Sequence, residues 1–205
     1  MPDGILVTIL VGLVVIVVSM VLHELMHAVT GYLLGDDTAK QQGRITLNPL
    51  AHIHPIYTVA LPLVLLSLGG PAVGAARPVP FNPSRLRWGE YGMALVALAG
   101  PLTNLALAFV GSALFSLIAV NQFWADAMQL FISINVVFFV INMLPIPPLD
   151  GSRVLYVFMP DSVRDFMRFM EPFGLFVVFA IFIFGQQWLS PLLLGAIDLV
   201  LGILP

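Results

Sequence analysis

The stretch His23-Glu24-Leu25-Met26-His27 holds the residue types and spacing that can do chemistry. On a helix, residues four apart stand on one face, so both imidazoles can reach a single metal ion. Glu24 follows His23 directly, near enough to handle a proton on a water that the metal activates. The ordinary alternative is two packing histidines and a glutamate hidden among helices. The preceding run, Ile5 to Leu22, argues against it because it carries no charge. An ionisable residue held at membrane depth costs about 2.5 kcal/mol or more unless it has a partner or a task.

Two histidines leave a catalytic zinc site incomplete, since such sites take three protein ligands and keep one position open. Of the 11 carboxylates in the chain, Asp150 stands apart because it closes the apolar run Phe131 to Leu149. It is reached through Asn142-Met143-Leu144-Pro145-Ile146-Pro147-Pro148-Leu149-Asp150-Gly151. The prolines there leave carbonyls without helical partners, as expected of a segment lining a cavity. The same spacing suits an aspartate that caps a helix beginning at Gly151, and the two readings stand even.

The elements that must position these residues follow from composition. The chain has 205 residues, 60% hydrophobic and 9% charged, with a mean hydropathy of +1.02. A soluble domain carries about 25% charged residues, so a water-facing surface is excluded. Eight Lys+Arg against 11 Asp+Glu, net −3, exclude a nucleic-acid footprint. The absence of cysteine excludes disulfides and thiolate metal sites. The expectation is one all-α polytopic membrane domain over 1–205, with about four to five transmembrane helices. The expected spans are about 5–34 (ended by Gly35), 91–120, 127–150 and 172–203, the last interrupted at Gly185-Gln186-Gln187. No basic segment precedes the first span and no small-residue cleavage site follows it, so it reads as a retained helix. Ile56 to Ala76 is cut by Pro55, Pro62 and Gly69-Gly70-Pro71, which predicts a re-entrant hairpin. Gln42 to Pro49 alternates weakly and ends in a turn signal, which predicts a short β element.

Three motifs in this order, His23 to His27, Ala99-Gly100-Pro101-Leu102-Thr103-Asn104 and Asn142 to Gly151, resemble the site-2 protease family of intramembrane zinc metalloproteases. The resemblance runs from about Val18 to Leu155 and is nearest to the small bacterial and archaeal members without a PDZ domain. It implies one zinc ion held by His23, His27 and Asp150, with Glu24 as general base and acid. It implies that Asn104 and Asn142 lie near the site, bonding substrate backbone or orienting a ligand; ordinary interhelical bonding is their alternative. The implied partners are a transmembrane protein substrate and the lipid bilayer. Met26 departs from the glycine common at that position in the family, which bears on helix packing and not on ligation. His52 and His54 read first as polar loop residues beside proline-bounded turns, with a second metal or a gating role as the alternative.

Geometry adds a topological expectation. His23 and His27 lie toward the C-terminal end of their helix, and Asp150 at the C-terminal end of its own. Sharing one ion requires those ends to be at the same depth, so the two helices run parallel with one full crossing between them. Tyr91 to Val120 supplies that crossing. Lys40, Arg44, Arg77, Arg85, Arg87, Arg153, Arg164 and Arg168 then fall on one side, and Asp3 and Asp126 on the other. Basic residues collect in cytoplasmic loops, which predicts a site facing the cytoplasm and an external N-terminus in a prokaryotic cytoplasmic membrane. The rival functions are a metal transporter, which should string polar groups along several helices, and a non-catalytic relative, which should lack Glu24 or a ligand.

Overall fold

The computed structural model describes residues 2–55, 58, 67 and 76–205, and among them the α and 3-10 elements are the regular structure. Helix α1 (Pro2–Leu33) stays helical because it is almost wholly apolar until Glu24. It ends at Gly35, whose φ of +103° is open to glycine at little cost. There the Gly35 N–H bonds the Tyr32 carbonyl at 3.0 Å and the Asp36 N–H bonds the Gly31 carbonyl at 2.9 Å, closing the helix in a Schellman motif.

Helix α2 (Glu90–Ala113) lies between α1 and α3 (Gln122–Asn142) and packs on both. Its buried residues are mostly small, including Ala97, Gly100 and Ala108, so neighbouring backbones come close. Ala108 joins Ile132, Val136 and Val140 of α3 in the main apolar core. Large apolar side chains such as Leu6, Leu13, Val14 and Phe109 point outward instead, which suits a protein covered by lipid. After Asn142 the chain passes its prolines and forms four further helices, α4 (Asp150–Tyr156), α5 (Asp161–Met170), α6 (Gly174–Phe184) and α7 (Gln186–Ile203). Val200 of α7 completes the core, and the Ser112 hydroxyl donates to the Pro205 carbonyl at the end of α2 far from Asp150.

Two expectations about the fold are corrected. Among the described residues three helices, α1, α2 and α3, are long and apolar enough to cross a membrane, not four to five. The segment 172–203 divides at Gly185 into helices of 11 and 18 residues, the polar break at Gln186-Gln187 having ended the apolar run. The β element is also absent among the described residues: Gln42 to Asn48 forms turns and bends, followed by a single 3-10 turn at Pro49–Ala51. Two local forces override the weak alternation. The Asn48 side chain accepts the Leu50 N–H at 3.0 Å and starts a helical turn. The Arg44 side chain turns inward and bonds the carbonyls of Ala51, Arg77 and Pro78, so this segment is held by a buried guanidinium in place of a ladder. The predicted re-entrant hairpin at 56–76 falls outside the described residues except at Thr58, Ser67 and Ala76. Its flanks meet at the site end, where the Arg77 N–H bonds the His52 carbonyl at 2.8 Å.

Candidate metal centre

The helical register of α1 carries His23 and His27 to its buried face against α2, and the chain after α3 brings Asp150 to the same point. His23 Nε2 stands 3.0 Å from His27 Nε2 and 3.1 Å from Asp150 Oδ2, and His27 Nε2 stands 3.3 Å from the same oxygen. These separations are the edges of a small triangle. Ligands at about 2.0–2.1 Å from a tetrahedral zinc are about 3.3 Å apart, so the triangle matches three corners of such a site.

The opposite ring nitrogens fix which atoms are free to ligate. His27 Nδ1 donates to the Val96 carbonyl at 2.6 Å, since a carbonyl can only accept. His23 Nδ1 meets Asn104 Oδ1 at 2.6 Å. The Asn104 amide orientation follows from its other bonds: Nδ2 donates to Asn135 Oδ1 at 2.9 Å and to the Ser19 carbonyl at 3.4 Å. Asn135 is oriented in turn by donating to the Phe131 carbonyl one turn back. Both imidazoles therefore carry hydrogen at Nδ1 and present lone pairs at Nε2. Two such lone pairs and a carboxylate oxygen converge with no donor among them. That is unfavourable in a buried setting without a cation, and it is the donor set zinc takes.

Gly100 shapes the remaining space. A β-carbon there would lie 2.4 Å from His27 Nε2 and 2.5 Å from His23 Nε2, within the volume an ion would use. Asp150 does not cap a helix beginning at Gly151, and no side-chain cap bond is made at the start of α4. It is the first residue of α4, whose N-cap is Leu149, while its carboxylate points at the histidines.

Glu24 is buried beside the cluster, within electrostatic reach of His27 and of Arg44. Burial draws the Arg44 guanidinium below its ordinary value while the Glu24 carboxylate acts the other way, and an arginine remains cationic throughout. Asn104 is fully buried and bonded to His23, which fits the ligand-orienting one of its two implied roles. Asn142 donates to the Phe138 carbonyl of its own helix. It lies seven residues after Asn135 and so shares that residue's face of α3. His52 is buried and bonds the Thr46 carbonyl at 3.0 Å, as a loop residue would.

Sequence reasoning gave Gly100 no role beyond its place in the second motif, and gave no site role to the Val96 carbonyl, Asn135 or Arg44. Asn135 had a usable signal, a lone amide inside an uncharged run and one heptad before Asn142. A main-chain acceptor such as Val96 leaves no mark in residue types.

Comparison with known proteins agrees with this geometry. The chain is 36% identical over 201 residues to "Putative zinc metalloprotease YwhC" of Bacillus subtilis, covering 92% of this chain and 88% of that protein. It is 30% identical over 175 residues to a Rip2 protein of Mycolicibacterium smegmatis, named in the same words, covering 80% of this chain and 63% of that protein. The Rip2 of Mycobacterium tuberculosis strain H37Rv is 32% identical over 177 residues, with 81% and 64% covered. No family model and no solved structure matches the chain. With three membrane-length helices, a convergent His23, His27 and Asp150 cluster and near full-length similarity to the Bacillus protein, the chain is a membrane protein that belongs to the site-2 protease family of zinc metalloproteases.

Proposed function

We propose that the chain is an intramembrane zinc endopeptidase that cuts transmembrane segments of other membrane proteins, with His23, His27 and Asp150 holding one zinc ion. The observation that supports this most strongly is the depth of the lone-pair cluster. His23 lies ten residues before the end of α1, and Gly100 lies ten residues after the start of α2. At 1.5 Å per residue each is about 15 Å from its helix end, well inside a hydrocarbon core about 30 Å thick.

Zinc bound there supplies Lewis acidity that makes water acidic near neutral pH and polarises the scissile carbonyl. Glu24 takes the proton from the attacking water and returns it to the leaving amine. Asn104 and the Val96 carbonyl keep both imidazoles in the tautomer that leaves Nε2 free, and Asn104 thereby orients a ligand without touching substrate. Asn142 sits about 10 Å along α3 from Asn135, toward the loop that carries Asp150, and bonds the substrate backbone there. A peptide bond within a helix is shielded by its own hydrogen bonds, so the substrate unwinds locally before attack.

All eight basic residues belong to segments at the site end, tied there by contacts such as Arg85 to Asp37 and Arg164 to Glu90. Basic residues collect in cytoplasmic loops, so the site faces the cytoplasm and the N-terminus lies outside, in a prokaryotic cytoplasmic membrane. The experiment is a Glu24→Gln variant assayed with a membrane-spanning peptide. It retains zinc and loses cleavage if Glu24 carries the proton; retained turnover removes Glu24 from the mechanism.

A further inference from the structure

Helix α5 divides into three sectors around its axis at about 100° per residue. Arg164 and Met167 turn toward the protein, and the exposed Arg168 reaches back to it. Arg164 pairs with Glu90 at 2.8 Å, Arg168 Nε donates to the Tyr156 hydroxyl at 2.7 Å, and Met167 lines a cavity of about 550 Å³ beside them. Asp161 and Asp165 project away from the protein. Val163, Phe166 and Phe169 form the third sector and also point outward, Phe166 and Phe169 being 61% and 67% exposed. A helix on a water-facing surface turns its apolar stripe to the core and its charges to solvent. Here Arg164 is drawn to the protein side, its side chain 21% exposed, while two phenylalanines are left outside.

The Arg164 ion pair fixes the depth of this outer face. Its partner Glu90 is the first residue of α2, a membrane-length helix. Trp88 and Tyr91 flank Glu90 and are both exposed, as aromatic side chains are where a span leaves the lipid. The Arg164–Glu90 pair therefore holds α5 at the level where α2 begins. Phe158 before α5 and Phe173 after it are exposed as well.

We infer that α5 is an interfacial helix whose Val163, Phe166 and Phe169 are sunk among the acyl chains of the leaflet at the site end. Asp161 and Asp165 face water, and the contacts to Glu90 and Tyr156 clip the helix to the rest of the protein. The partner is a lipid surface. The outward charges are acidic, so apolar insertion and not attraction to anionic headgroups holds α5 in place, and neutral phosphatidylcholine suffices.

The chain has no cysteine, so single-cysteine variants can be spin-labelled without background. Phe166→Cys, Phe169→Cys and Asp165→Cys are placed in full-length protein in phosphatidylcholine nanodiscs, with Phe109→Cys on α2 as lipid reference and Ser84→Cys as water reference. Collision of the label with oxygen and with a water-soluble nickel chelate is measured at each. Positions 166 and 169 should match position 109, with oxygen dominant, while position 165 matches position 84. Nickel-dominant collision at 166 and 169 would overturn the inference. So would an immobilised label shielded from both reagents, which would mean that protein covers this face. All three α5 positions are exposed, and alternation within one helix shows that it has folded.

Discussion

His23 Nδ1 donates to Asn104 Oδ1 over 2.6 Å, and both side chains are buried where α1 meets α2. That bond settles which nitrogen of His23 faces Asp150. It is the point where a helix-packing residue orients a proposed metal ligand.

Replacing Asn104 by leucine keeps the volume but leaves the His23 Nδ1–H without its acceptor. A lost outer partner of a metal-ligating histidine costs about 10–100-fold in metal affinity. Competition against a zinc chelator should show a drop of that size, with α1 and α2 still helical by circular dichroism. Unchanged affinity would mean that Asn104 only packs.

Gly100→Ala tests the space between the two imidazoles. Alanine is the better helix former by about 1 kcal/mol, yet its β-carbon would fall 2.4 Å from His27 Nε2. The variant should stay helical by circular dichroism, melt lower because the buried imidazoles must shift, and lose zinc. Full zinc occupancy would show that the ion does not use the space in front of Gly100.

Asp36 makes stability depend on acid. Burial alone would raise its pKa, but its carboxylate accepts from the Thr38 hydroxyl at 2.5 Å, the Asn82 N–H at 2.5 Å and the Thr38 N–H at 3.0 Å, with Arg85 nearby. Together these hold the carboxyl below its usual value. Its stabilisation is complete above the unfolded value of about 3.9 and disappears as pH falls through the lower folded value. Thermal melts of wild type should fall off in that acid window, and Asp36→Asn should flatten this part of the slope. An identical slope in both would assign the acid loss to other groups.

Arg44 binds two loops at the site end through the carbonyls of Ala51, Arg77 and Pro78. Arg44→Met keeps the apolar stem and removes the donors, at about 1–3 kcal/mol for each buried carbonyl left without a partner. The readout is proteolytic nicking near Arg77, which should accelerate. Equal protection would mean that the loops hold without it.

The legible parts of the molecule were those written in local spacing. The four-residue step from His23 to His27 shows in the helix register, and Gly35 ends α1 where it was expected to. Asp150 stood even between ligand and cap because its partner His23 is 127 positions away, and only the packing of α2 against both α1 and α4 closes that distance. The strand expected at Gln42 to Pro49 failed because alternation is a weak signal beside a buried arginine and an asparagine cap. The surplus span failed because the interruption expected at Gly185 ends α6 after 11 residues, too few to cross a membrane. Asn135 was missed because a single amide in an apolar run gains meaning only when Asn104 lies opposite.

The central claim is that three residues from two distant parts of the chain hold one zinc ion. Zinc content per chain, measured on purified wild type and on Asp150→Ala after equal dialysis, tests it most directly. The account predicts one zinc per wild-type chain and a marked loss in the variant, with cleavage of a membrane-spanning peptide lost in parallel. An Asp150→Ala protein that retains full zinc would contradict it.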